Sequence, residues 1–169
     1  MDKLWAPWRV KYVTKIAGKS KSGTFSRIFR DKKNDKKNYV FIRFKHAFAV
    51  LNIFPYNNGH VLVVPNRKVR DLEGLHRKER EDLFDLLEEV KSLLDETLAP
   101  DGYNIGINLG RAAGAGIPDH LHIHVVPRWG GDVNFMPVTA HTKVISQSLD
   151  QLYLTLAHAY QKRHRRIRG

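Results

Sequence analysis

Asp119-His120-Leu121-His122-Ile123-His124-Val125-Val126-Pro127 alternates histidine with an aliphatic residue and stops at a proline. Period-two alternation with β-branched residues predicts a strand over His120–Val126. Side chains on a strand point to opposite faces in turn, so His120, His122 and His124 share one face and Leu121, Ile123 and Val125 the other. The aliphatic face belongs in the core, and the three imidazoles are expected to face away from it. One histidine here would read as a satisfied or exposed polar residue. Three of the chain's nine histidines within five residues read as a site.

Working outward, Tyr39–Phe44 and Ala47–Asn52 are β-prone runs around Lys45-His46, which suggests paired strands. Phe54-Pro55-Tyr56-Asn57-Asn58-Gly59 is dense in turn formers, and His60–Val64 is a further strand that Pro65 ends. Tyr103–Leu109 adds another, joined to the histidine strand by the glycine-bearing loop Gly110–Asp119. From Lys78 to Leu98 the apolar residues Leu83, Phe84, Leu86, Leu87, Val90, Leu93, Leu94 and Leu98 recur near every 3.6 positions, a long helix that Pro100-Asp101-Gly102 stops. A closing helical period runs through Ile145, Leu149, Leu152, Tyr153, Leu156 and Tyr160 into a basic tail. Lys15–Asn38 reads as a long loop with one helical turn at most, its Phe25, Ile28 and Phe29 burying little. The pattern is α+β: a mostly antiparallel five-stranded sheet, a long central helix and a C-terminal helix, because several connections are too short for parallel crossovers.

At 169 residues and 42% apolar content the chain suits a single domain over residues 1–169. It divides into a basic arm and loop (1–38), a core (39–137), and a closing helix with its tail (138–169). No apolar run is long enough for a membrane span, and the start lacks a secretory signal, so a cytoplasmic protein is expected. With no cysteine, disulfides, thiolate metal sites and thiol nucleophiles are excluded. The net charge of +12 is uneven: residues 1–45 hold 14 Lys and Arg against 3 Asp and Glu, residues 46–159 hold 10 against 14, and residues 160–169 hold 5 against none. Basic ends on a mildly acidic body read as solvated arms, giving at most sequence-blind contact with nucleic acid. No aromatic-and-basic stripe of a single-strand binder is visible.

Two chemistries suit a histidine row. His-x-His on a strand offers two metal ligands with Cα atoms about 6.6 Å apart, but the outer pair lies about 13 Å apart, so a metal needs another ligand from elsewhere. Alternatively, a neutral imidazole attacks phosphorus while neighbouring rings donate hydrogen bonds to phosphate oxygens.

The string His120-Leu121-His122-Ile123-His124-Val125-Val126 is similar to the signature of the histidine triad (HIT) superfamily. Asn52-Ile53-Phe54-Pro55 with Gly59-His60-Val61-Leu62-Val63-Val64-Pro65 resembles the family's upstream turn and strand. Ile107-Asn108-Leu109-Gly110 resembles its strand before the active-site loop. The flanks Leu4-Trp5-Ala6-Pro7-Trp8-Arg9 and Pro127-Arg128-Trp129-Gly130-Gly131-Asp132-Val133-Asn134-Phe135 resemble the branch related to diadenosine tetraphosphate phosphorylases.

The resemblance implies a HIT-like fold and a nucleotidyl transferase or hydrolase acting on dinucleoside polyphosphates. It implies His122 as the nucleophile toward the α-phosphorus, His124 as donor to the α-phosphate and bridging oxygen, and His120 and His60 as orienting partners. It further implies Asn52 at the ribose, Ile53 and Phe54 beside the base, and Asn108 at a phosphate, with backbone N–H groups of the loop through Ala115 and Gly116 close to phosphate oxygens. Gly116 departs from the Gln or Ser common in relatives, and Ala115 from a common Gly, which opens the choice between phosphate and water as acceptor. No cofactor is required, Mg²⁺ would arrive with the substrate phosphates, and a homodimer is implied. A metal-dependent hydrolase and a non-catalytic nucleotide or nucleic-acid binding module remain the alternatives.

Overall fold

The computed structural model describes residues 23–132 and 145–167. The Trp5 and Trp8 flank, residues 133–137 of the expected core, and the last two residues lie outside them. In chain order come α1 (Thr24–Arg30), a 3-10 turn (Lys32–Asn34), α2 (Asp35–Asn38), β1 (Val40–Arg43), β2 (Ala47–Leu51), β3 (Val61–Pro65), a 3-10 turn (Leu72–Gly74), α3 (Arg77–Leu98), β4 (Gly102–Ile107), β5 (Ile123–Arg128) and α4 (Leu149–Ile167). The strands form one sheet in the order β1-β2-β3-β5-β4, with every pair antiparallel.

Helices α3 and α4 pack on one face of this sheet. That face takes Ala47, Ala49 and Leu51 of β2, Val61 and Val63 of β3, and Ile123 and Val125 of β5. Against them pack Leu83, Leu86, Val90, Leu93 and Leu94 of α3 and Leu152 and Leu156 of α4. The intervening residues Phe48, Val50, Leu62 and Val64 point to the other face, where Phe25 of α1 closes a second cluster. Strands β2 and β3 are thus buried on both faces, which explains their near-continuous apolar sequence. Edge strand β4 is half open, with Ile105 exposed. Among the described residues no helix is long and apolar enough to cross a membrane.

The α3 start is fixed by Glu79, whose carboxylate accepts from the His76 N–H (2.8 Å) and from Arg67 (2.9 and 2.7 Å). Ala99 ends it in the left-handed region. Phe84, counted with the apolar stripe, is instead 63% exposed.

Four expectations are corrected. Residues 24–38 of the expected loop are largely helical, and Phe25 is buried against Phe48. The closing helix begins at Leu149 rather than Ile145 and continues through the tail to Ile167. There Arg163 is bound rather than solvated, reaching Glu89 (3.2 Å) and Glu96 (2.8 Å) of α3. The histidine strand enters the ladder only at Ile123. Pro65, opposite its expected start, offers no N–H to the ladder and its carbonyl accepts from His120 Nε2 (2.9 Å), while the Leu121 N–H donates to the Val69 carbonyl at 2.6 Å.

Candidate active site

The turn between β2 and β3 is built around Asn52, whose Oδ1 accepts the Phe54 N–H at 3.0 Å while its own N–H donates to the His60 carbonyl at 2.9 Å. Asn57 is buried and donates its Nδ2 to the Pro127 carbonyl (3.1 Å) and to Asp132 (2.7 Å), tying the turn to the end of β5. Gly59 has φ +74°, and a Cβ there would lie 2.7 Å from Leu98 Cδ1 and 2.9 Å from Pro127 Cγ. Only glycine fits. The turn thereby lays the Tyr56 ring 4.6 Å from that of His60 and stacks it on His124, centroids 5.6 Å apart and planes within 13°.

The alternation holds, since Leu121, Ile123 and Val125 enter the main core while the histidines take the opposite face. That face, turned away from the main core as expected, is not open to solvent. His120 is 1% exposed, His122 5%, His124 9% and His60 2%. Phe25 of α1 lies 5.4 Å from the His120 ring and 5.2 Å from that of His122, and so roofs the row.

Backbone partners have fixed polarity, so they locate the ring protons. The Tyr56 N–H donates to His60 Nδ1 at 3.0 Å. Burial, then the neighbouring His124 and His122 rings, pull the His60 pKa down to about 3, so this ring is neutral near pH 7 and carries its proton on Nε2. That nitrogen is 2.9 Å from His124 Nδ1. His124 therefore accepts at Nδ1 and bears its proton on Nε2; Asn108 Nδ2, 3.5 Å away, is itself a donor and does not take this proton. His122 donates Nδ1–H to the His120 carbonyl at 2.9 Å, leaving the Nε2 lone pair bare. Burial lowers the pKa of His122 and keeps it neutral. His120 donates Nε2–H to the Pro65 carbonyl at 2.9 Å.

His122 and His124 open on a cavity of about 110 Å³. Asn52, Ile53, Phe54 and Gly116 line it with them. His60 and His120 stand behind the two rings. Ala115 is not in the lining, and its N–H is directed to the Gly110 carbonyl at 3.3 Å. Sequence reading missed Tyr56, Phe25, Ile28 and Asn38, which also bound the cavity. Phe25 and Ile28, three apart, carried a helical signal; nothing local marked Tyr56 or Asn38. Among the described residues no group of three or more His, Asp or Glu side chains comes together to hold a metal ion, so the His-x-His pair finds no third ligand there.

The HIT domain model matches residues 33–131. An AP-4-A phosphorylase of Mycobacterium tuberculosis is 38% identical over 154 residues, covering 88% of this chain and 79% of the relative. An asymmetrical bis(5'-nucleosyl)-tetraphosphatase of Schizosaccharomyces pombe is 36% identical over 117 residues, 69% of this chain and 64% of the relative. In structure, a Zn-bound histidine triad family protein from Mycobacterium smegmatis superposes with a TM-score of 0.65 at 25% identity, covering 85% of this chain and 96% of that one. On the family match, supported by the histidine string and the five-stranded antiparallel sheet, this chain belongs to the HIT family.

Proposed function

We propose that the chain is a nucleotidyl transferase or hydrolase that cleaves dinucleoside polyphosphates, such as diadenosine tetraphosphate, through a nucleotidyl-His122 intermediate. The observation that carries this reading is the His122 to His120 carbonyl bond, which leaves an unprotonated Nε2 on a ring that lines the cavity. In the first step the Nε2 lone pair forms a bond to the α-phosphorus, and the bond from that phosphorus to the bridging oxygen breaks, releasing ATP from diadenosine tetraphosphate. The Nε2–H of His124 donates to the α-phosphate and bridging oxygen as charge builds there. His60 and His120 orient the two reacting rings. Asn52 serves the ribose, Ile53 and Phe54 flank the base, and Asn108 with the backbone at Gly116 serves the phosphates; Ala115, whose N–H is bonded to the Gly110 carbonyl, is not given that role. Mg²⁺ enters only with the substrate.

In the second step phosphate or water displaces the nucleotidyl group from His122, giving ADP or AMP. Incubating the purified protein with a dinucleoside polyphosphate panel, in buffers with and without phosphate, tests the reading. ADP plus ATP from diadenosine tetraphosphate marks phosphorolysis and AMP plus ATP marks hydrolysis. Intact substrate in both buffers overturns it.

The active unit of this proposal is a homodimer. The β4 edge with its exposed Ile105, and the exposed Phe84 of α3, are apolar surface that a second copy would cover. Light scattering on the eluted protein measures this directly, and a monomer at micromolar concentration removes it. A cytoplasmic setting goes with such substrates, since polyanions do not cross a bilayer unaided.

A further inference from the structure

The rings assigned to the chemistry are held by a set of bonds whose far end lies outside the cavity. The Asp132 carboxylate, with a side chain only 6% exposed, accepts from Arg128 Nε (2.6 Å) and Nη2 (2.9 Å), from Asn57 Nδ2 (2.7 Å) and from the Trp129 N–H (3.2 Å). Such bidentate, charge-assisted bonding makes a rigid anchor. Asn57 makes its second bond to the Pro127 carbonyl, so two ends of the fold meet on one amide. The next residue back is Tyr56, whose N–H reaches His60 Nδ1 at 3.0 Å. Asn52 Nδ2 approaches the same nitrogen at the longer distance of 3.3 Å.

While the Tyr56 N–H occupies His60 Nδ1, the His60 proton stays on Nε2, His124 accepts at Nδ1, and the His124 proton stays on Nε2. Withdraw that N–H and only the longer Asn52 Nδ2 contact at 3.3 Å still holds Nδ1 as an acceptor, so His60 carries its proton on Nδ1 in a share of the molecules. Its Nε2 then accepts, His124 must donate from Nδ1, and a lone pair rather than a proton faces an anionic phosphate. A donor becomes a repulsive acceptor without any catalytic atom being removed.

We propose that Asn57 and Asp132 are positioning residues for the reaction, a proton lock that pins the Tyr56 N–H on His60 and so keeps the His124 proton on the side of the substrate. The inference rests on the reading of His124 as donor to the phosphate. It is tested on the full chain with Asn57→Ala and Asp132→Asn, the second keeping the side chain's size and carrying the test where the first fails to fold. Imidazole proton–nitrogen NMR correlations on nucleotide-free protein give the tautomers, and steady-state kinetics on diadenosine tetraphosphate give the rate.

The wild type should show single Nε2–H tautomers at His60 and His124. In the variants that pattern gives way to a mixture or to Nδ1–H. Turnover falls about 10- to 100-fold with KM changed less than about threefold, because the donor matters most in the transition state. Folded variants that retain the wild-type tautomers, or that turn over within about twofold of wild type, overturn the lock. A wild type with the expected tautomers and no turnover of any nucleotide overturns the reaction assigned above, while a tautomer change in the same variants still supports the lock.

Discussion

His122 Nδ1 lies 2.9 Å from the carbonyl oxygen of His120, two residues earlier in the same chain. The bond is possible because this segment has left the sheet ladder, which frees the His120 carbonyl to accept from a side chain. It both aims the ring and decides which nitrogen is bare. His122→Ala is therefore expected to lower turnover by roughly 10³-fold or more, the scale of losing a nucleophile. Nucleotide binding, measured by calorimetry, should survive within an order of magnitude. Turnover at the wild-type rate would sink the assignment.

Burial holds His122 and His60 neutral below the ordinary imidazole range, which sets the direction of two pH effects. The nucleophile stays unprotonated below pH ~6.5, so the acid limb of kcat should fall lower than for a free imidazole, and rate is lost as pH drops through it. Stability moves with it. An unfolded His60 takes up its proton near pH ~6.5, while the folded ring holds it off until about 3. Between those values the unfolded chain binds more protons, so stability falls as pH falls, by about 1.4 kcal/mol per pH unit from this ring, and is flat above ~6.5. Urea unfolding at pH 4, 5, 6 and 7 checks the slope; equal stability across the range would contradict the neutral His60.

The face assignment of β5 was legible because period two is a geometric property of any strand, and Leu121, Ile123 and Val125 occupy the core as their spacing demands. Its first residue was not legible, since the departure at His120–His122 depends on Pro65 across the sheet and on the loop carbonyl of Val69. Long-range contact hid the rest of the site in the same way. Phe25 stands among Lys, Arg and Ser and looks solvated in sequence, yet its burial comes from Phe48, His120 and His122, all distant in the chain. The helical tail likewise depends on Arg163 finding Glu89 and Glu96 on α3. His60 and Asn52 could be named from their motif, but the proton order between His60 and His124 required distances.

Gly59→Ala forces a β-carbon into a left-handed backbone position and within 3 Å of both Leu98 and Pro127. Side-chain shifts relieve part of the overlap, so a loss of about 2–4 kcal/mol in unfolding free energy is expected. Because Gly59 immediately precedes His60, activity should fall further than the folded fraction accounts for. Denaturation and kinetics on the same sample separate the two, and a variant as stable as wild type would show that the turn is not closely packed.

Phe25→Ala removes the roof over the triad. The ring is 4% exposed and packs on Phe48, His120 and His122, so its loss leaves a void costing about 3 kcal/mol. The void also admits water to His122, which weakens the desolvation that keeps this ring neutral. The acid limb of kcat should then move up toward the ordinary imidazole range. KM for the nucleotide should rise about tenfold, as Phe25 also lines the cavity. Phe25→Leu separates the effects: it refills most of the volume and restores stability, and with water again excluded it returns the acid limb toward its wild-type position. An unchanged acid limb in Phe25→Ala would show that the roof contributes packing and not the electrostatics of the nucleophile.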